Sequence, residues 1–149
     1  MKLRHIVVGL ALTGLSSVAA ADLEPWVDYE VSEGVSMVTT VKVDANMVDK
    51  YLEGLSKSWV VSNERAKELG QIEDYSIWVS DLPNSGYFNV LLVIRLASAA
   101  DMQPNKADYD EFQAGWTDEN EELSEEQVQM YPSIRKINGQ YLMRKVTLK

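Results

Sequence analysis

Trp78, Asn89 and Arg95 are the residues whose types and spacing point to a ligand. Each sits in an alternating apolar segment, where side chains two apart share a face, so an indole, a carboxamide and a guanidinium are expected to point the same way as Leu91 and Val93. An apolar surface with a few convergent polar groups is what a small-molecule site needs. Arg95 is the sharpest of the three, because a guanidinium on a central strand requires a carboxylate, a cluster of carbonyls or an anionic ligand. The structural alternative is a strand-end position from which it reaches water or pairs with an acid across a dimer. Arg144 is a further candidate for this face, the register of its segment being left open by the sequence.

Two charge clusters invite weaker readings. The run Asp118, Glu119, Glu121, Glu122, Glu125, Glu126 has the charge for calcium, but Leu123 stands where an EF-hand loop needs glycine, so a solvated helix face or loop is the expectation and no metal is assigned. Arg135, Lys136, Arg144 and Lys145 form a basic cluster in an acidic chain, suited to pairing with that run or to holding an anionic group. Tyr51, Trp59, Tyr109, Phe112 and Trp116 recur at helical spacing and are expected in the core or an interface.

Absences narrow the chemistry further. Met1 to Ala21 has Lys2 and Arg4, an apolar stretch from Ile6 to Leu15, and small residues up to Asp22, the pattern of a cleaved secretory signal. The apolar stretch is shorter than the roughly 20 residues a spanning helix requires, and nothing later reaches that length. The expected mature protein is therefore soluble and exported, periplasmic or secreted. The sole histidine, His5, leaves with the leader, and the chain has no cysteine. That excludes thiol nucleophiles, imidazole acid–base catalysis, histidine-ligated haem and ordinary zinc sites, and no cofactor is expected. Removing Lys2 and Arg4 from a chain of net charge −9 leaves −11, a balance that argues against nucleic acid and anionic membranes as partners. The 128 residues left from 149 suffice for one domain with its own core, without disulfides.

The elements that must position these residues follow from periodicity. Residues 22–34 are read as an N-terminal arm or a short strand packed by its aromatics, and 35–149 as one α+β domain. Val35, Met37, Thr39, Val41 and Val43 alternate as a strand. From Asp44, apolar residues at Val48, Tyr51, Leu52, Leu55, Trp59, Ala66 and Leu69 predict a helix over 45–69 ended by Gly70, with a break plausible where Ser56 to Ser62 lower its propensity. Ile72 to Val79 and Tyr87 to Leu96 are strands around a turn at Asp81 to Gly86, the second apolar on both faces and hence central. Lys106 to Trp116 is a helix, and Ser124 with Gln127 suggests a capping box that opens a last helical turn. Ser133 to Ile137 and Gln140 to Leu148 read as a hairpin around a type I′ turn at Asn138-Gly139.

The order βαββαβ with an antiparallel sheet is the ferredoxin-like arrangement, in which both helices cover one face. The other face would expose Val38, Trp78, Leu91 and Val93, too much apolar area for a soluble monomer, and a second copy is the simplest cover. From about Val35 to Lys149 the sequence resembles the dimeric α/β-barrel superfamily, which includes antibiotic-biosynthesis monooxygenase-like and haem-degrading proteins. The alternative fold is a cystatin-like or nuclear-transport-factor-like cone, which needs more strands after the acidic run. The resemblance implies a homodimer with a chamber lined by Trp78, Asn89 and Arg95. Its haem-degrading members look to a histidine this chain lacks beyond the leader, whereas its cofactor-independent oxygenases place an aromatic substrate beside Trp, Asn, Tyr or Arg side chains. Three functions compete: binding of a small organic ligand in the chamber; a cofactor-independent oxygenase or isomerase, which would lose turnover on Asn89→Ala or Arg95→Ala with melting unchanged; and a non-catalytic interaction protein using its acidic surface.

Overall fold

The computed structural model describes residues 22–82 and 85–149; the expected signal segment and Pro83 and Asn84 of the turn cluster lie outside these residues. The chain runs β1 (Tyr29–Val43), α1 (Val48–Lys57), α2 (Trp59–Glu68), β2 (Asp74–Val79), β3 (Val90–Leu96), a 3-10 turn (Ala99–Met102), α3 (Lys106–Ala114), α4 (Asp118–Met130), a second 3-10 turn (Tyr131–Ser133) and β4 (Arg135–Leu148). The strands form one sheet in the order β2-β3-β1-β4, every neighbouring pair antiparallel. With its central strands β1 and β3 each followed by helices, this is the ferredoxin-like βαββαβ fold expected from the periodicity.

β1 is the spine. Of the two alternatives for residues 22–34, the strand holds for 29–34, which is no separate element but continues β1 across a bulge, so that only 22–28 remain outside it. Its fifteen residues, a length of about 50 Å, pair with β3 along one edge and with β4 along the other.

The expected break in the long helix falls at Ser58, whose backbone (φ −128°, ψ −83°) leaves helical geometry. Its buried Oγ donates to the carbonyl of Gly54 at 2.9 Å and shares a 2.6 Å hydrogen bond with the Tyr131 hydroxyl. A serine bonding back one turn competes with the helix ladder, and here it ties both helices to the segment before β4. α1 and α4 approach closely at Gly54, where a Cβ would stand 2.9 Å from Gln127 Oε1 and 3.0 Å from Tyr131 Cε1.

Two sequence expectations fail in the C-terminal third. The acidic run does not precede a helical turn capped by Ser124; it forms most of α4, capped by Thr117, whose Oγ1 accepts from Asn120 N at 3.2 Å. The hairpin is absent: β4 is one strand, and Asn138 is a bulge between Ile137, paired with Val41, and Gly139, paired with Thr40. A type I′ turn needs positive φ at both central residues, and neither Asn138 nor Gly139 adopts it. The Asn138 amide instead donates to the Tyr87 carbonyl, and the Tyr87 hydroxyl donates to the Asn138 carbonyl at 2.7 Å.

The core lies between the sheet and the helices, where Val41, Val43, Val90 and Leu92 meet Tyr51, Leu55, Tyr131 and Ile134. Tyr51 and Tyr131 pack edge to face, ring centroids 5.2 Å apart. α3 is held outside α2 by Arg65, whose Nε donates to the Phe112 carbonyl at 2.8 Å. Among the described residues no helix is long and apolar enough to cross a membrane.

Candidate functional site

The register that puts Val41 and Val90 in the core puts Val38, Leu91 and Val93 on the opposite face, which no helix covers. Three rows cross this open face. Trp78, Leu91, Thr40 and Gly139 form the first; Ser76, Val93, Val38 and Tyr141 the second; Asp74, Arg95, Ser36 and Met143 the third. Trp78 is 63% exposed, Tyr141 51% and Met143 53%, so an apolar band runs across the sheet from β2 to β4.

The four residues singled out in the sequence separate here. Trp78 lies on the open face, its indole N–H donating to Ser76 Oγ at 3.0 Å. Arg95 shares that face two rows away, about 13 Å along the strand direction. Its guanidinium stands 3.8 Å from Asp74 and 4.0 Å from Glu73, both at the start of β2, so its acids come from the same chain. These contacts are long and half-exposed, and Asp74 is engaged more closely by Lys67 at 3.0 Å, whose hydrogen bond holds the Asp74 carboxyl below the usual carboxylate range.

Asn89 precedes β3 and turns toward the backbone of β1. Its Oδ1 accepts from Val43 N at 2.7 Å and its Nδ2 donates to Val43 O at 2.9 Å, extending the β1–β3 ladder by one side-chain rung. Arg144 pairs opposite Val35 and so belongs with Leu142, Val146 and Leu148 on the face away from Trp78. Its Nη1 donates to the carbonyls of Ser32 and Glu33, at 2.9 and 2.7 Å, filling the β1 bulge. The open face therefore unites Trp78 and Arg95, while Asn89 and Arg144 hold backbone.

The charge clusters also resolve. With β4 a single strand, Arg135 and Arg144 stand nine positions apart, about 30 Å, and are no cluster. The α4 acids lie along one helix, and among the described residues no three His, Cys, Asp or Glu side chains are placed to hold a metal ion.

The sequence marks Arg135 as a candidate to hold an anionic group but not its aromatic setting on the helix side. Arg135 lies against two buried tyrosines, its guanidinium carbon 5.1 Å from the Tyr131 ring centroid and 5.9 Å from that of Tyr51. Burial pushes the Tyr51 hydroxyl up to about 12, opposed in part by the Arg135 charge. Burial also raises Tyr131, against the hydrogen bond it shares with Ser58. The available signal was parity, since Arg135 shares a face with Ile137 when the strand is read as continuous.

No family model matches the sequence, and no curated protein matches it significantly. Among solved structures, the chain is similar to HapK from Hahella chejuensis, with 10% identity over 74% of this chain and 91% of that one and a TM-score of 0.44. It is also similar to a dimeric protein of unknown function and ferredoxin-like fold from Bacteroides fragilis, with 11% identity over 78% and 98% and a TM-score of 0.41. A dimeric ferredoxin-like protein of unknown function from Thermobifida fusca matches with 8% identity over 78% and 92%, at a TM-score of 0.38.

Proposed function

We propose that the protein is exported, forms a homodimer through its open sheet face, and binds a small organic molecule between the two sheets. The observation that carries this reading is the apolar band on the open face, with Trp78, Tyr141 and Met143 exposed and Val38, Leu91 and Val93 half-buried between them, on a sheet whose central strands are already packed by helices on the other face. β4 adds to it, because Leu142, Val146 and Leu148 leave the strand exposed and apolar on its second face as well, on a free edge. Such an edge invites another chain. Sheets packed face to face stand about 10 Å apart. The small side chains Ser36, Thr40 and Ser76 leave room between such sheets, flanked by the Trp78 and Tyr141 rings. An aromatic ligand can stack on Trp78, and Arg95, only loosely paired, favours one with a negative group at that end.

Native mass spectrometry of the protein taken gently from outside the cytoplasm tests the reading. A dimer carrying extra non-covalent mass that Trp78→Ala releases is the expected result; a strict monomer at micromolar concentration overturns it. N-terminal sequencing of the same material is expected to begin near Asp22, and a start at Met1 would remove export from the proposal.

A further inference from the structure

A second recess lies on the helix side of the sheet, in the cleft between the α1–α2 pair and α4, with a volume of about 290 Å³. Buried Leu55 and Leu92 form its base, Trp59, Tyr51 and Tyr131 contribute aromatic surface, and Arg135 reaches it from the first residue of β4. Arg135 differs from every other described arginine. Arg65 and Arg144 donate to backbone carbonyls, and Arg95 faces two carboxylates. The Arg135 Nε–H is buried without a hydrogen-bond partner, and among the described residues no carboxylate lies within ion-pair distance of its guanidinium. The tyrosine rings attract its charge, but guanidinium donors lie in the plane of the group and need acceptors there. Among the described residues, which include all 23 acids of the chain, none pairs with this cation.

We infer that the cleft binds a small organic carboxylate, its charged end taken by the Arg135 guanidinium and its apolar body lying on Leu92 and Trp59. One guanidinium with no lysine in the lining suits a single negative charge, and its planar fork matches a carboxylate. Tyr51 stays protonated across the neutral range, so it brings no competing negative charge. The site is separate from the open face and does not depend on a ligand being bound there.

The test uses benzoate as the probe and benzamide, of the same shape but neutral, as its control, followed by amide chemical-shift mapping on the purified protein. Benzoate is expected to give saturable shifts around 51–62, Leu92 and 124–135, and to bind at least about tenfold better than benzamide, the difference that charge-assisted hydrogen bonds supply. Arg135→Lys keeps the charge and loses the fork, and is expected to weaken benzoate about tenfold. Arg135→Met should abolish the preference over benzamide, and Trp78→Ala should change neither. Equal binding of the two probes, undiminished binding by Arg135→Lys, or no saturable shift overturns the site. Shifts confined to Trp78, Leu91 and Tyr141 overturn it too, while supporting the open-face reading. Should Arg135→Met fail to fold, the lysine variant and the parent map still decide.

Discussion

Asn89 and Arg95 look interchangeable in the sequence, two polar residues of one parity on one strand, and the structure assigns them opposite roles. Asn89 satisfies both backbone groups of Val43. Asn89→Ala leaves that N–H and C=O without partners and is expected to cost about 1–3 kcal/mol in chemical denaturation. Arg95→Ala breaks only long, half-exposed contacts and is expected to stay within about 0.5 kcal/mol. Comparable melting of the two variants would contradict the side-chain rung. The tyrosine pair gives a pH dependence with a defined sign. Tyr51 has an ordinary value of 10.0 and a folded value of about 12. The folded state thus holds its proton longer than the unfolded chain, and this contribution is fully present below pH 10.0 and lost as pH rises toward about 12. Denaturation midpoints should fall across that window in the parent and fall less steeply in Tyr51→Phe; equal slopes would mean the hydroxyl is not buried as described.

Whether Asn-Gly turns a chain depends on what lies on either side of it. Locally Asn138-Gly139 is the strongest hairpin signal in the sequence, yet both flanking segments pair with β1, which is long enough to hold them in line. That length was hidden because residues 29–34 mix acids with Gly34 and break their alternation at a bulge. Strands with clean alternation, β2, β3 and the second half of β1, were legible, as was the helix break at Ser58. The half-buried, ring-packed setting of Arg135 was not legible, since it is made by Tyr51 and Tyr131 on other elements. The bulge has its own test. Asn138 and Tyr87 exchange two hydrogen bonds, so Asn138→Ala and Tyr87→Phe should each destabilise by about 0.5–1.5 kcal/mol. Because they sever one connected pair, the double variant should cost less than both separately. A turn at this position would instead make Asn138→Gly neutral or stabilising, and simple additivity of the first two would deny the pairing.

A ferredoxin-like sheet leaves one face to be dealt with by something outside the domain, and in this chain that face is apolar where it is most exposed. Its β2–β3–β1 portion was visible from alternation alone, through Trp78, Leu91, Val93 and Val38; the β4 portion, Tyr141 and Met143, became visible only once β4 proved to be a single strand. These two residues are the place to test the association, because both are more than half exposed and a charge there costs the isolated fold little. In a two-fold dimer each substitution appears twice on the same interface. Tyr141→Glu and Met143→Glu are therefore expected to halve the mass seen by light scattering while leaving far-ultraviolet dichroism unchanged. Val128→Glu, equally exposed on α4 of the opposite side, should remain dimeric. Added salt separates the driving forces: an apolar seam persists as ionic strength rises, whereas an association driven by the acidic surface weakens as charges are screened. Dimers that survive both β4 substitutions, or that dissociate in salt, would move the interface away from the open face and remove the chamber with it.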